Sequence, residues 1–200
     1  MKLLLCLLIS FPILTTIGQG FDYQVLNQLN VQRNTQLDGA MIFMSESANP
    51  LSLIAPVTSF GMGVLTGSKP KKLKGIYIAQ TMAVNGLVTL AAKYSIDRPR
   101  PFTTYSAINK ISSGGSPSFP SGHTSNAFAT ATAITLSYPK WYIAVPTYAW
   151  ATGVGYSRMH TGVHYPSDVL VGAAVGIASA YLCQFMNQQV FKTYKRPQEY

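Results

Sequence analysis

The polar and apolar positions of this chain fall into a series of runs with helical spacing. A polar stretch over residues 21–49 carries Val25, Leu26, Leu29 and Leu37 at roughly helical intervals and predicts a helix. Four or five apolar segments follow, at residues 51–67, 75–92, 125–138, 141–155 and 169–186. They are rich in Ala, Gly, Thr and Val, a composition that lets helix backbones approach closely. The least regular region is 94–121, with Pro99, Pro101, Gly114, Gly115, Pro117 and Pro120. It reads as a long loop between helices, and loops of that length usually carry function.

Residues 1–20 read as a secretory segment: Lys2 gives the charged start, Leu3 to Ile17 the apolar stretch, and Gly18-Gln19-Gly20 a small-x-small cleavage site. The alternative is an uncleaved first membrane anchor, and either version places residue 21 onward outside the cytoplasm. Cys6 lies in this segment, so cleavage leaves Cys183 as the only cysteine, with no intramolecular disulfide available. The remainder, residues 21–200, is long enough for one domain with a sizeable core and shows no internal repeat.

Composition points toward lipid. Hydrophobic residues make up 48% of the chain and charged residues only 10%, against about 25% charged in an ordinary soluble domain. The formal net charge of +9 raises the question of nucleic acid. The basic clusters, Lys69, Lys71, Lys72 and Lys74 and then Lys192, Lys195 and Arg196, sit in no groove-reading motif and among no stacking aromatics. Nucleic acid is excluded as a partner.

Hydropathy alone leaves the membrane question open. Several segments fall short of the roughly 18 apolar residues of a confident span, and Gln80 and Asn85 interrupt the second. Charge placement decides more. If residue 21 starts outside and each segment crosses once, the 69–74 lysines, Lys140 and the basic C-terminus fall inside. Arg33, Lys93, Arg98, Arg100, Lys110 and Arg158 remain outside. The expectation is a multi-pass membrane protein in contact with membrane lipids; a soluble helical domain is the alternative.

Three separated clusters carry chemistry. The first runs from Lys93 to Arg100 and Pro101, the second is Pro120-Ser121-Gly122-His123, and the third runs from Ser157-Arg158 through His164 to Asp168. Lys93, Arg100 and Arg158 are three cations in a chain short of charge. Arginine offers a planar fork that matches phosphate oxygens, and lysine a point charge. Ser121 and Gly122 precede His123 where the next helix begins, and backbone N–H groups at a helix start are a ready anion site. Asp168 lies four residues after His164, so it can accept from one ring nitrogen and free the other to attack. Together these groups make a phosphoryl-transfer site that needs neither metal nor cofactor. Under the topology above, all three clusters emerge on the same outer face.

In order and internal spacing, the clusters resemble the motifs of the type 2 phosphatidic acid phosphatase and vanadium haloperoxidase superfamily: Lys-x6-Arg-Pro, Pro-Ser-Gly-His and Ser-Arg-x5-His-x3-Asp. The resemblance runs from about residue 50 to residue 187. It implies an all-α helical bundle, often multi-pass, with a compartment-facing site. It also implies His164 as a nucleophile forming a phosphohistidine, Asp168 as its orienter, and His123 as the proton donor to the leaving oxygen. Lys93, Arg100, Ser121, Gly122 and Arg158 would hold the phosphate oxygens.

The implied activity is metal-independent hydrolysis of a lipid phosphate or diphosphate at the periplasmic face of the inner membrane. Phosphatidylglycerophosphate, undecaprenyl diphosphate, phosphatidic acid and lipid A phosphates are the candidate substrates. A soluble periplasmic acid phosphatase of broad specificity and a vanadium haloperoxidase are the alternative activities. His160 matches no motif position and is read as peripheral to the site. Arg98 is read as an interfacial contact rather than a phosphate ligand, and Asp97 as a loop or helix-end residue. Trp141, Tyr142, Tyr148 and Trp150 are read as packing residues or interface anchors.

Overall fold

The computed structural model describes residues 20–191. The leader expected at residues 1–20 lies, but for Gly20, outside the described residues, and so does the basic cluster Lys192, Lys195 and Arg196. Helix α1 covers residues 20–26 and runs into a π turn, Asn27–Val31. After a break comes the 3₁₀ turn Thr35–Leu37, and then α2, Asp38–Leu65. Helix α3 spans Lys69–Ile96 and the one-turn α4 spans Pro101–Thr104. Three further helices complete the described residues: α5 (Gly122–Ser137), α6 (Trp141–His160) and α7 (Pro166–Phe191). Among the described residues there is no strand.

Local chemistry sets most of the boundaries. The side chain of Asn34 accepts from the Gln36 N–H (3.0 Å) and opens the turn ahead of α2. Helix α3 starts after Ser68 with a proline in its first turn, where the missing N–H costs nothing. It stops at Asp97, the helix-end residue expected there, which takes a left-handed conformation (φ 45°) and donates its N–H to the Lys93 carbonyl at 2.9 Å.

The polar stretch 21–49 is not the single helix its spacing predicts. The break at Gln32–Asn34 divides it, and its second half is continuous with the first apolar segment, so α2 begins at Asp38 rather than at residue 51. The Arg33 fork closes the break by donating to both carboxylate oxygens of Asp38 (2.9 and 3.1 Å). Pro50 and Pro56 then sit inside α2 without ending it.

Helix α5 is the centre of the bundle, packed against α2, α3, α6 and α7. Its alanines at 127, 129, 131 and 133 are all fully buried. Helix α7 approaches α5 so closely at Gly172 that a Cβ there would stand 2.7 Å from the Ser121 carbonyl oxygen, and at Gly176 the approach is closer still. Only glycine permits it.

The interior is rich in small and polar residues, whereas Leu53, Val57, Leu87, Leu90, Leu170 and Phe185 point outward. A water-soluble bundle has the reverse arrangement. Gln80 and Asn85, which interrupt the apolar pattern, are interhelical links. Asn85 donates to Asn126 (2.8 Å) and accepts from Ser125 (2.5 Å), and Gln80 accepts from Asn187 (3.0 Å). Three helical stretches, Thr35–Leu65, Lys69–Thr104 and Pro166–Gln189, are long and apolar enough to cross a membrane. The chain is an integral membrane protein.

Trp141 and Tyr142 are exposed at the start of α6. Tyr148 and Trp150 instead pack inside, on Thr132 (2.9 Å) and Ser47 (2.9 Å). The up-and-down course of the helices places the ends of α3 and α6 and the starts of α5 and α7 together. That end holds the site.

Candidate active site

A cavity of about 180 Å³ opens at this end of the bundle, lined by Lys93, Arg100, Gly122, His123, Arg158 and His164 together with residues 113–116 of the long loop. Residues from all three sequence clusters meet there. Lys93 comes from the last turn of α3, His123 from the first turn of α5 and Arg158 from the last turn of α6. His164 sits in the tight turn between α6 and α7, where Gly162 takes a positive φ of 73°.

The three cations are buried, with Lys93 and Arg100 at 7% exposure and Arg158 at 1%. Backbone carbonyls of the loop hold them in place. Lys93 Nζ donates to the Pro117 carbonyl (2.6 Å), Arg100 Nε to that of Ser116 (2.7 Å) and Arg158 Nη2 to that of Ser113 (2.9 Å). Arg100 also donates to the Val163 carbonyl at 2.9 Å, and Arg158 Nη1 to Ser45 Oγ. Arg158 Nε is buried with no hydrogen-bond partner. An orphaned guanidinium N–H beside a cationic cavity is set up for an anion.

His164 lies with Nδ1 toward Asp168 Oδ2 (3.4 Å) and Nε2 toward the cavity, 3.4 Å from Arg100 Nη1. A carboxylate on the Nδ1 side favours the tautomer whose Nε2 lone pair faces the cavity. Burial holds the protonation of His164 down to about 3; the charges of Arg158 and Arg100 add to this and Asp168 opposes it. The imidazole is therefore neutral, and nucleophilic, at neutral pH.

Asp168 stands behind His164 rather than on the cavity wall, and the tertiary structure supplies it with more partners than the sequence indicates. Its Oδ2 accepts from Ser118 Oγ (2.5 Å) and the Tyr165 N–H (3.0 Å), and its Oδ1 accepts from Arg98 Nη1 (2.7 Å). The expectation that Arg98 makes an interfacial contact is corrected: it faces inward, to Asp168 and Asp22, and lies over the Tyr165 ring at 3.9 Å. Ser121 does not line the cavity either. Its hydroxyl pairs with Thr124 Oγ1 (2.9 Å) and its N–H donates to the Asp168 carbonyl (3.0 Å), fixing the start of α5 against α7. His160 is peripheral, with Nε2 2.9 Å from Asp38.

Sequence reasoning missed Ser45, Ser113, Ser116, Ser118 and Asp22. Serines in a loop carry no periodic signal. For the three loop serines the one available hint was the length of the loop itself; Ser45 in α2 and Asp22 in α1 carried none.

The sequence pattern of the PAP2 superfamily matches residues 74–192. The chain belongs to that superfamily. It is 36% identical over 166 residues to a lipid A 1-phosphatase of Porphyromonas gingivalis, an alignment covering 80% of this chain but 35% of that protein. The PAP2 chain thus spans about a third of the length of that relative. It is 29% identical over 193 residues to an undecaprenyl-diphosphatase of Sulfolobus acidocaldarius, covering 90% of this chain and 86% of the other. A transmembrane PAP2 type phosphatidylglycerolphosphate phosphatase from Bacillus subtilis shares the fold, with a TM-score of 0.73 at 23% identity over 96% of both chains.

Proposed function

We propose that the chain is a lipid phosphate phosphatase acting through a phosphohistidine on His164, with residues 21–200 working as one domain and the site open to the periplasm. The observation that carries this reading is the cavity itself, where Lys93, Arg100 and Arg158 surround a neutral His164 whose Nε2 faces inward. Relatives named for lipid A and undecaprenyl diphosphate support a lipid substrate.

In the first step His164 Nε2 attacks phosphorus as the bond to the leaving oxygen breaks, and His123 gives that oxygen its proton. In the second, water attacks the phosphohistidine, passes a proton to His123, and inorganic phosphate leaves as the N–P bond breaks. The three cations and the Gly122 N–H hold the equatorial oxygens, where charge concentrates in the transition state. Asp168 offsets the positive charge that His164 acquires when phosphorylated. Burial of the cations in a water-poor site strengthens each contact.

The periplasmic orientation rests on charge. The lysines at 69–74 lie at the opposite end of α3 from Lys93, as a positive-inside arrangement requires.

The test is phosphate release, without added metal, by detergent-purified protein from phosphatidic acid, phosphatidylglycerophosphate, undecaprenyl diphosphate, a lipid A phosphate and one soluble monoester. Preference for a lipid, lost in His164→Ala, is the expected result. Equal turnover by the His164→Ala protein would sink the nucleophile assignment, and preference for the soluble monoester would sink the lipid assignment.

A further inference from the structure

We propose that Arg98 is a positioning residue for His164, and that Asp22 on the N-terminal helix α1 completes it. On this view the catalytic pair His164–Asp168 is the inner half of a four-residue chain, Asp22–Arg98–Asp168–His164. The inference rests on the nucleophile reading above.

The geometry is continuous. Asp22 is buried at 2% exposure, and its Oδ2 accepts from Arg98 Nη2 at 2.7 Å. Arg98 Nη1 donates to Asp168 Oδ1 (2.7 Å) and to Ser167 Oγ (2.8 Å). Asp22 also takes the Ser167 N–H (3.0 Å) and the Ser167 hydroxyl (2.5 Å), so α1 is tied to the first turn of α7 by two further bonds. The guanidinium carbon lies over the Tyr165 ring, 3.9 Å from its centre, and Tyr165 neighbours His164 in sequence.

The division of Asp168 between its partners gives the arrangement its purpose. Arg98 occupies Oδ1, which fixes the carboxylate plane and leaves Oδ2 for Ser118, the Tyr165 N–H and His164. At 3.4 Å the His164–Asp168 contact is longer than a good hydrogen bond, so small rotations of the carboxylate change it greatly. A buried carboxylate with a histidine as its sole charged partner would also favour the protonated imidazole. Arg98 counters that by neutralising Asp168, and Asp22 limits how far it does so. Lys93, Arg100, Arg158 and His123 line the same cavity as His164, from α3, the long loop, α6 and α5.

The test compares full-length wild type, Arg98→Gln, Arg98→Lys and Asp22→Asn in detergent, with His164→Ala as control, on phosphatidic acid and p-nitrophenyl phosphate. kcat and KM are measured across pH. Arg98→Gln is expected to lower kcat by roughly 10- to 100-fold while KM changes little, the usual cost of removing a group that orients a reacting one. Arg98→Lys recovers part of that loss.

The acid limb of kcat/KM separates positioning from a merely structural role. Removing the Arg98 charge raises the proton affinity of the Asp168–His164 pair, so the limb moves up by about one pH unit. Asp22→Asn leaves Arg98 less neutralised, so its limb moves down, by less. Opposite shifts support the chain. Wild-type kcat in a folded Arg98→Gln protein, or a rise in KM with kcat kept, overturns it. If Arg98→Gln does not fold, the Asp22→Asn limb decides: no downward shift overturns the inference. Phosphate release that survives in His164→Ala sinks the nucleophile reading and this inference with it. Release lost there but untouched by Arg98→Gln sinks this inference alone.

Discussion

The two ends of helix α3 carry the same kind of residue in opposite circumstances. At its start, Lys69 is exposed and Lys71, Lys72 and Lys74 are half-buried, with Lys74 Nζ lying 4.1 Å from the centre of the Tyr138 ring. At its last turn, Lys93 is buried and bound to a loop carbonyl. Near the first end, charge remains beside solvent. At the second, three cations are withdrawn from water and held in one geometry by carbonyls that neutralise none of them. Burying unpaired cations is costly, and a cluster of them persists only where an anion belongs.

That contrast can be broken from the buried end first. His164→Ala removes the proposed attacking atom and is expected to lower kcat by about 10⁴-fold or more, the scale on which single losses from a cooperating catalytic set fall. Circular dichroism on the same sample checks that the helices remain. Arg158→Lys keeps the charge but discards the fork and its free Nε, and a loss of about 10²-fold in kcat/KM is expected, readable in steady-state kinetics.

Ser118→Ala deletes one donor to Asp168 while leaving Arg98 and the Tyr165 N–H in place. A fall of roughly 10-fold in kcat is expected, with KM little changed. The smallest effect belongs to the other end. Changing Lys69, Lys71 and Lys72 together to Gln is expected to leave kcat within about 2-fold, with the effect confined to binding of anionic vesicles. A large loss there would erase the distinction between the two ends.

Acid sharpens the comparison in stability. His164 is neutral in the fold, with its protonation held down to about 3 from the ordinary 6.5. Its folded value is depressed, so the unfolded chain binds the extra proton. The neutral histidine's contribution is intact above about pH 6.5 and is lost progressively as pH falls toward 3. Thermal unfolding of wild type against His164→Ala across that window is expected to show a steeper acid decline in wild type.

Much of the site was legible in the sequence because its chemistry is written in rare residue types. A chain with 10% charged residues that places Lys93, Arg100, Arg158, His123, His164 and Asp168 at fixed intervals leaves few other readings. The four-residue step from His164 to Asp168 survives translation into structure because the turn that holds His164 leads directly into the first turn of α7, which holds Asp168. The same holds for the helices, whose apolar runs were visible although their ends were not. Helix α2 extends back to Asp38 because Asn34 and Arg33 organise its entry, and neither residue breaks the polar pattern.

What the sequence by itself determined is the helical character of the apolar segments, the family to which the motifs belong, and most of the charged and histidine side chains that line the cavity. The tertiary structure alone decided the outer ring: the orphaned Arg158 Nε, the loop carbonyls under each cation, and the Asp22–Arg98 pair behind Asp168. The physical reason is range. Motif spacing and helical period are properties of neighbours along the chain. A carbonyl, a loop serine or an aspartate separated from its partner by 76 positions acquires meaning only once burial forces every polar group to find a specific mate.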